Sequence, residues 1–205
     1  MVAGFSPRLS LYNTGMTLKE RLVRFRSFWI FPLAGFFLLY LTSRAEGQGH
    51  LNDLMWLVPI GILIWTLLEY VLHRYVFHAQ VPLRNPQLRE IVNASHLSHH
   101  AAPRDAAKVL VQPLFAFAIS LILYGVFIGV LRNAFSAAGV IAGVWAGFLY
   151  YEAVHYRVHF SLSPSGLIAQ QRRTHFYHHF TNNKRCFGVT SPLWDFVFGT
   201  TLPRG

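Results

Sequence analysis

Charge is what this chain has least of. Only 13% of its 205 residues are charged, and acid is scarcer still, with 8 Asp and Glu against 18 Lys and Arg. A soluble domain carries about a quarter charged residues. The deficit, beside 53% hydrophobic residues and a mean hydropathy of +0.35, points to a membrane protein. Cysteine is nearly absent as well: Cys186 alone excludes a disulfide scaffold and any cysteine-rich zinc module. Aromatic residues are not lacking. Their number, 18 Phe, 9 Tyr and 5 Trp, excludes low-complexity disorder. Histidine is in excess, with 11 in the chain.

A bilayer-spanning helix needs about 20 mostly apolar residues, and four stretches qualify. The first, about Phe28 to Leu41, is short enough to predict a shallow or re-entrant helix. The second runs from about Leu54 to Leu72, with Pro59 and Gly61 early and Glu69 near its end. The third, about Val109 to Leu131, is followed after only Arg132 and Asn133 by the fourth, about Ala134 to Tyr151, so these two form a tight antiparallel hairpin. No cleavable signal peptide is evident. Residues 1–27 read as an N-terminal cytoplasmic segment and 28–205 as one membrane-embedded domain.

The basic residues set the orientation. Five precede the first span (Arg8, Lys19, Arg21, Arg24 and Arg26), and Arg44 alone follows it. Five lie in the middle segment (Arg74, Arg84, Arg89, Arg104 and Lys108), and Arg132 alone in the next turn. The remaining six, from Arg157 to Arg204, lie in the tail. This alternation follows the positive-inside rule for four spans with both termini cytoplasmic. It accounts for the net charge of +10 without a nucleic-acid partner. Gly139, Gly143 and Gly147 recur every four residues in the fourth span, beside Ala138, Ala142 and Ala146; such a stripe lets another helix approach closely in lipid. Packing against the third span, with its Gly125 and Gly129, is the expectation, and a dimer contact the alternative.

Ten of the eleven histidines fall in four groups: His73 and His78; His96, His99 and His100; His155 and His159; His175, His178 and His179. All ten lie on the cytoplasmic side by the charge pattern, and His50 stands apart on the other. Positions i, i+3 and i+4 share a helix face, so each His-x-x-His-His run can aim three imidazoles inward. His155 and His159 are one turn apart. His73 and His78 are five apart, which separates them by about 140° on an ideal helix; either the helix breaks there or the pair serves different metals. Ten ligands are too many for one ion and fit two metals with about five nitrogens each, leaving an open position on each. Imidazole suits iron, zinc, copper and nickel.

Three carboxylates accompany these groups. Glu69 lies one turn before His73, and Glu152 three residues before His155. A carboxylate in an apolar span is expensive and tends to be functional, so both are candidates to accept a ring N–H and fix the tautomer. The alternatives are pairing with Arg74 or Arg157, or direct metal ligation. Asp195 is a third candidate of the same kind, with an exposed turn as its alternative.

Catalytic zinc typically keeps three protein ligands and a water, so five imidazoles around redox-inert zinc would make a poor hydrolytic site. Two irons held by neutral imidazoles suit instead the reduction of dioxygen with two external electrons and the oxidation of an unactivated C–H bond. A site at the membrane face suits an apolar substrate arriving from the lipid, held away from water.

At this point the residues meet a family. His73-Arg-Tyr-Val-Phe-His78, His96-Leu-Ser-His99-His100, His155-Tyr-Arg-Val-His159 and His175-Phe-Tyr-His178-His179 resemble the histidine boxes of the fatty acid hydroxylase/sterol desaturase superfamily. The resemblance is nearest to the fatty acid 2-hydroxylases that act on sphingolipid acyl chains. It extends through Trp65-Thr-Leu-Leu-Glu69-Tyr and through Phe187 to Thr200, and covers about Leu54 to Thr200. It implies an all-α integral membrane protein of four transmembrane helices, with a cytoplasmic helical cap carrying a histidine-rich di-metal site. It also implies a monooxygenase with all ten histidines as metal ligands, two metals (iron in the active enzyme, zinc possible after purification), dioxygen as co-substrate and a lipid acyl chain as substrate. Many fungal and animal members begin with a b-type cytochrome domain bearing His-Pro-Gly-Gly. That motif is missing from these 205 residues, so a separate b-type cytochrome or ferredoxin is the expected electron donor. A basic cytoplasmic surface would suit such an acidic partner. The membrane is either the endoplasmic reticulum or the bacterial inner membrane.

Competing readings are a hydroxylase of the same superfamily acting on a carotenoid, a sterol or a sphingoid base, and, outside enzymes, a histidine-rich metal transporter. Transporter sites sit near the bilayer midplane on broken helices, and no histidine here lies mid-span.

Overall fold

The structure, a computed structural model, describes residues 18–45, 51–78 and 85–203, all helix and connection with no strand among them. The helices are α1 (Leu18–Arg24), α2 (Ser27–Ala45), α3 (Leu54–Val71), α4 (Pro86–Val92), α5 (Ser98–Ala101), α6 (Ala106–Val109), α7 (Pro113–Leu131), α8 (Ala134–Phe160), α9 (Gly166–Phe180) and α10 (Leu193–Val197). Two π-helical segments interrupt this order, Leu72–Phe77 at the end of α3 and Asn93–Leu97 between α4 and α5. Among the described residues, four helices are long and apolar enough to cross a membrane: α2, α3 with its π segment, α7 and α8. Most of the N-terminal segment, residues 1–17, and His50 lie outside the described residues.

Helix α8 is the axis of the molecule. Its 27 residues extend for about 40 Å, more than the roughly 30 Å of a bilayer core, and its last turns carry His155 and His159. Helices α2, α3 and α7 all pack on it. The side of α7 turned from α8 leaves Leu114, Leu121, Ile122 and Val130 exposed, a lipid-facing surface. The expected hairpin between the third and fourth spans is present. Arg132 ends α7 in the left-handed conformation at φ 55°, and the Asn133 side chain caps α8 by accepting the Ser136 N–H at 2.6 Å.

Three sequence expectations need correction. The first span is not short: α2 has 19 residues, about 28 Å, and is held by Phe31, which is buried against Phe117 of α7 and Trp145 and Phe148 of α8. The third helix begins at Pro113 rather than Val109; proline suits the first turn, where its missing N–H is no loss.

The glycine stripe of α8 meets α3 instead of α7. A Cβ on Gly143 would lie 2.1 Å from the Val58 carbonyl oxygen, one on Gly61 2.1 Å from that of Val140, and one on Gly147 2.6 Å from the Trp65 side chain. Two backbones touch directly there, an approach only glycine permits, whereas Gly125 and Gly129 have nothing within 4 Å. The glycines of α7 face outward because α7 docks through its aromatic and alanine face.

Candidate metal centre

The ten histidines converge in two sets of five at the end of the bundle where α3 and α8 emerge. The first set is His73, His78, His96, His100 and His178; the second is His99, His155, His159, His175 and His179. Within each set, one nitrogen per ring lies within 4.8 Å of all the others.

The partition follows helix geometry. Each His-x-x-His-His run is split: its outer pair, one α-helical turn apart, joins one set, and its middle histidine, three residues on, crosses to the other. His96 and His100 therefore serve the first set and His99 the second, while His175 and His179 serve the second and His178 the first. The two runs are interlocked, so neither set exists without both. His155 and His159 join the second set from regular α-helix.

His73 and His78 share a set despite their five-residue spacing, and the π turn is the reason. The His78 N–H bonds to the His73 carbonyl at 3.1 Å, an i to i+5 bond, so the wider turn returns both rings to one face. The helix deforms, and the pair does not divide between metals.

The nitrogens meet too closely and too often for hydrogen bonds alone. His175 Nε2 lies 3.1, 3.0 and 2.9 Å from the Nε2 atoms of His155, His159 and His179, and His78 Nε2 lies 3.0 Å from those of His96 and His178. A ring nitrogen carries at most one proton, so it cannot satisfy three such contacts. A metal–nitrogen bond of about 2.0–2.1 Å places ligand atoms at right angles about 3 Å apart, so the spacing fits ligands around a cation. His73 Nε2 and His100 Nε2 are buried without a protein partner, as donors aimed at an ion would be. Each set thus fits one metal ion, two in all.

The electrostatics agree. Burial lowers the pKa of His78 to about 4, and burial followed by the neighbouring imidazoles lowers that of His178 to about 4 and that of His100 to about 3. His96, His99, His175 and His179 move in the same direction for the same causes. Neutral imidazole is the ligating form.

The carboxylates act through backbone. Among the described hydrogen bonds, none of Glu69, Glu152 and Asp195 accepts an imidazole N–H. Glu69 accepts the Val189 and Thr190 N–H groups at 2.5 and 2.8 Å and the Thr190 hydroxyl. Asp195 accepts the Phe187 and Gly188 N–H groups at 2.9 and 2.8 Å and the Thr200 hydroxyl at 2.6 Å. The loop they clamp supplies the acceptors that sequence reading missed. The Phe187 carbonyl lies 2.5 Å from His73 Nδ1, and the Arg185 carbonyl 2.8 Å from His178 Nδ1. Glu152 accepts the Val111 N–H at 3.1 Å and so ties α8 to the connection just before α7. Backbone carbonyls carry no residue signature, so only the tail motif from Phe187 to Thr200 hinted at this role.

Arg172 is another residue that spacing did not reveal. From α9 it donates to the Val158 and Ser161 carbonyls at 2.6 and 2.7 Å, capping α8 and locking the two helices that build the second set. Beside the first set, a narrow, mostly apolar cavity of about 40 Å³ lies between α3, α7 and α8, with His73 and Phe77 in its lining.

The comparisons with known proteins bear on the same region. Residues 58–200 match the fatty acid hydroxylase family. The chain is 33% identical over 149 residues to a fatty acid 2-hydroxylase of Rattus norvegicus, covering 72% of this chain and 40% of that one. It is 34% identical over 162 residues to a dihydroceramide fatty acyl 2-hydroxylase of Arabidopsis thaliana, covering 78% and 67%. A solved structure of full-length scs7p, with only the hydroxylase domain visible, superposes at a TM-score of 0.73 with 27% identity, over 91% of this chain and 70% of that one. The chain thus spans about 40% of the length of the rat relative. The matched stretch contains both histidine sets and the loop that braces them, and the chain belongs to the fatty acid hydroxylase family.

Proposed function

We propose that this chain is a di-iron monooxygenase that hydroxylates the acyl chain of a membrane lipid at the carbon next to the carbonyl, most simply the acyl group of a ceramide or related sphingolipid. The observation that carries the reading is the pair of five-histidine sets beside an apolar cavity. The names of the rat and Arabidopsis relatives support the acyl 2-position and the ceramide class. In balance, R–CH2–CO–X, dioxygen, two electrons and two protons give R–CH(OH)–CO–X and water.

His73, His78, His96, His100 and His178 would hold one metal, and His99, His155, His159, His175 and His179 the other. Bound iron would supply the reduction of dioxygen and the oxidising power for the C–H bond. The protein's own part is positional. Phe187 and Arg185 fix the rings of His73 and His178 by accepting their Nδ1 protons through backbone carbonyls. Glu69 and Asp195 hold that loop at the right height. The buried rings of His73, His99, His155 and His175 exclude water from the reacting end. The lipid reaches the site from the bilayer through the apolar wall of α3 and α7.

In this reading residues 28–205 carry the activity, and the histidine end and both termini face the cytoplasm. Electrons arrive there from a b-type cytochrome or ferredoxin. Lipid mass spectrometry of a host expressing the chain with such a donor, beside a His178→Ala control, tests the proposal. New 2-hydroxyacyl lipids absent from the control support it. Hydroxylated sterols or carotenoids in their place, or an unchanged acyl profile, overturn it.

A further inference from the structure

The cavity beside the first histidine set has a floor, and the floor is built from an unusual pair. Its three walls are helical stripes. From α3 and the π segment after it come Trp65, Leu72 and His73, and from α7 and α8 come residues such as Ala116 and Phe148. His73, whose Nε2 is buried without a protein partner, lines the end nearest the first histidine set. From His73 down to Trp65 is eight residues, about 12 Å of helix. At the far end Trp145 of α8 reaches across to α7.

Trp145 is locked there by a short chain of hydrogen bonds. Its indole N–H donates to the Ser120 hydroxyl at 2.7 Å, and that hydroxyl donates to the Ala116 carbonyl at 2.7 Å. Every polar atom of the pair is satisfied, so the face turned to the cavity is hydrocarbon, although a serine and an indole build it. The Phe31 and Phe117 rings, 5.3 and 5.8 Å from the indole, brace it from behind. Helix α7 is pinned to α8 at this level but barely touches α3. The Trp145–Ser120 pair therefore bridges α8 and α7 at the end of the cavity away from His73.

We infer that this cavity holds the acyl chain beyond the reacting carbon, and that Trp145, held by Ser120, limits how long a chain the site accepts. The inference rests on the proposed acyl hydroxylation and adds its specificity determinant. The chain enters sideways between α3 and α7, places its carbonyl end at His73 and runs its methyl end down to the indole. A pocket that is one methylene too short discriminates by about tenfold or more, so small changes at the floor shift chain preference measurably.

Two opposite variants test this in the full chain expressed with its donor. Trp145→Leu opens the floor, and the ratio of longer to shorter 2-hydroxyacyl products rises about tenfold. Ala116→Phe fills the middle of the cavity and lowers that ratio by a similar factor. Trp145 also packs in the ring cluster, so Ala116→Phe keeps the inference falsifiable if the first variant fails to fold. A chain-length profile unchanged in folded, active Ala116→Phe overturns the inference and leaves the hydroxylase reading intact. A second readout needs no activity: purified protein is irradiated with a saturated fatty acid bearing a diazirine at its methyl end. Labelling of Ser120, Leu123 or Trp145 supports the inference. Labelling confined to the lipid-facing Leu121 and Ile122, or absent from the cavity, overturns it.

Discussion

The two histidine sets hold the same number of imidazoles but are built in opposite ways. The second is made of regular helix. His155 and His159 on α8 and His175 and His179 on α9 are α-helical neighbours, and only His99 crosses from elsewhere. Its Nδ1 atoms at His99, His155, His175 and His179 are buried and reach no protein partner. The first set depends on irregular backbone. It needs a π turn at Leu72–Phe77, another at Asn93–Leu97, and the loop carbonyls of Arg185 and Phe187. One set is positioned by helix packing, the other by a braced loop. The difference teaches that equal ligand counts do not mean equal support, and the two sites should respond differently to the same kind of perturbation.

The largest effect should come from the crossing histidines. His99→Ala and His178→Ala each remove one ligand from one set. Activity should fall by more than the roughly 10–100-fold cost of losing an outer partner, and metal content should fall from two ions toward one. Retention of two ions by either variant would break the partition.

Next in size, Asp195→Asn and Glu69→Gln should loosen the clamp on the loop at 187–190. The first set should lose about 10–100-fold in metal affinity while the second stays within a few-fold. Chelator competition followed by metal analysis reads this directly. Equal loss from both sets would mean that the braced loop supports the whole site.

Gly143→Leu should push α3 from α8 and destabilise by about 1–3 kcal/mol through overpacking. Both sets ride on this seam, so they should weaken together as the thermal midpoint in detergent falls. Gly125→Leu is the contrast: with nothing within 4 Å of that position, the midpoint should hardly move.

The smallest effect is one of pH on the metal-free protein. His78, His100 and His178 have folded pKa values of about 4, 3 and 4, below the 6.5 of a free ring. The unfolded chain therefore binds protons first as pH falls, so stability contributed by neutral rings is full above about 6.5 and lost progressively down to about 4. Thermal midpoints across that window should decline with acid in the apo-protein and follow a shallower course with metal bound. A flat profile in the apo-protein would contradict the burial of these rings.

Much of this was legible from local spacing. Runs of apolar residues marked the spans, because hydrocarbon demands about 20 such residues whatever the neighbours are. The pair Arg132–Asn133 marked the hairpin. The histidine groups marked a two-metal site, because imidazoles at i, i+3 and i+4 lie along one face. Spacing also posed the His73–His78 problem correctly, since five residues do not fit an α-helical face, but two solutions were open. The glycine stripe on α8 announced a close approach without naming the helix that approaches. The length of α2 was underestimated, since Thr42, Ser43 and Arg44 look like an exit from lipid although the helix continues through them.

The sequence by itself therefore determined the four spans, the membrane setting, the ten histidines and the family. Each of these depends on the identity of residues at fixed short separations. Only the tertiary structure decided how the histidines divide, which span the glycines face, and what Glu69, Glu152 and Asp195 hold. It also decided that Trp145 and Ser120 form a floor. The reason is that these are contacts between elements or across a loop, made by backbone carbonyls, amides and helix faces, and most of the partners lie tens of residues away. No local pattern encodes a partner at that distance.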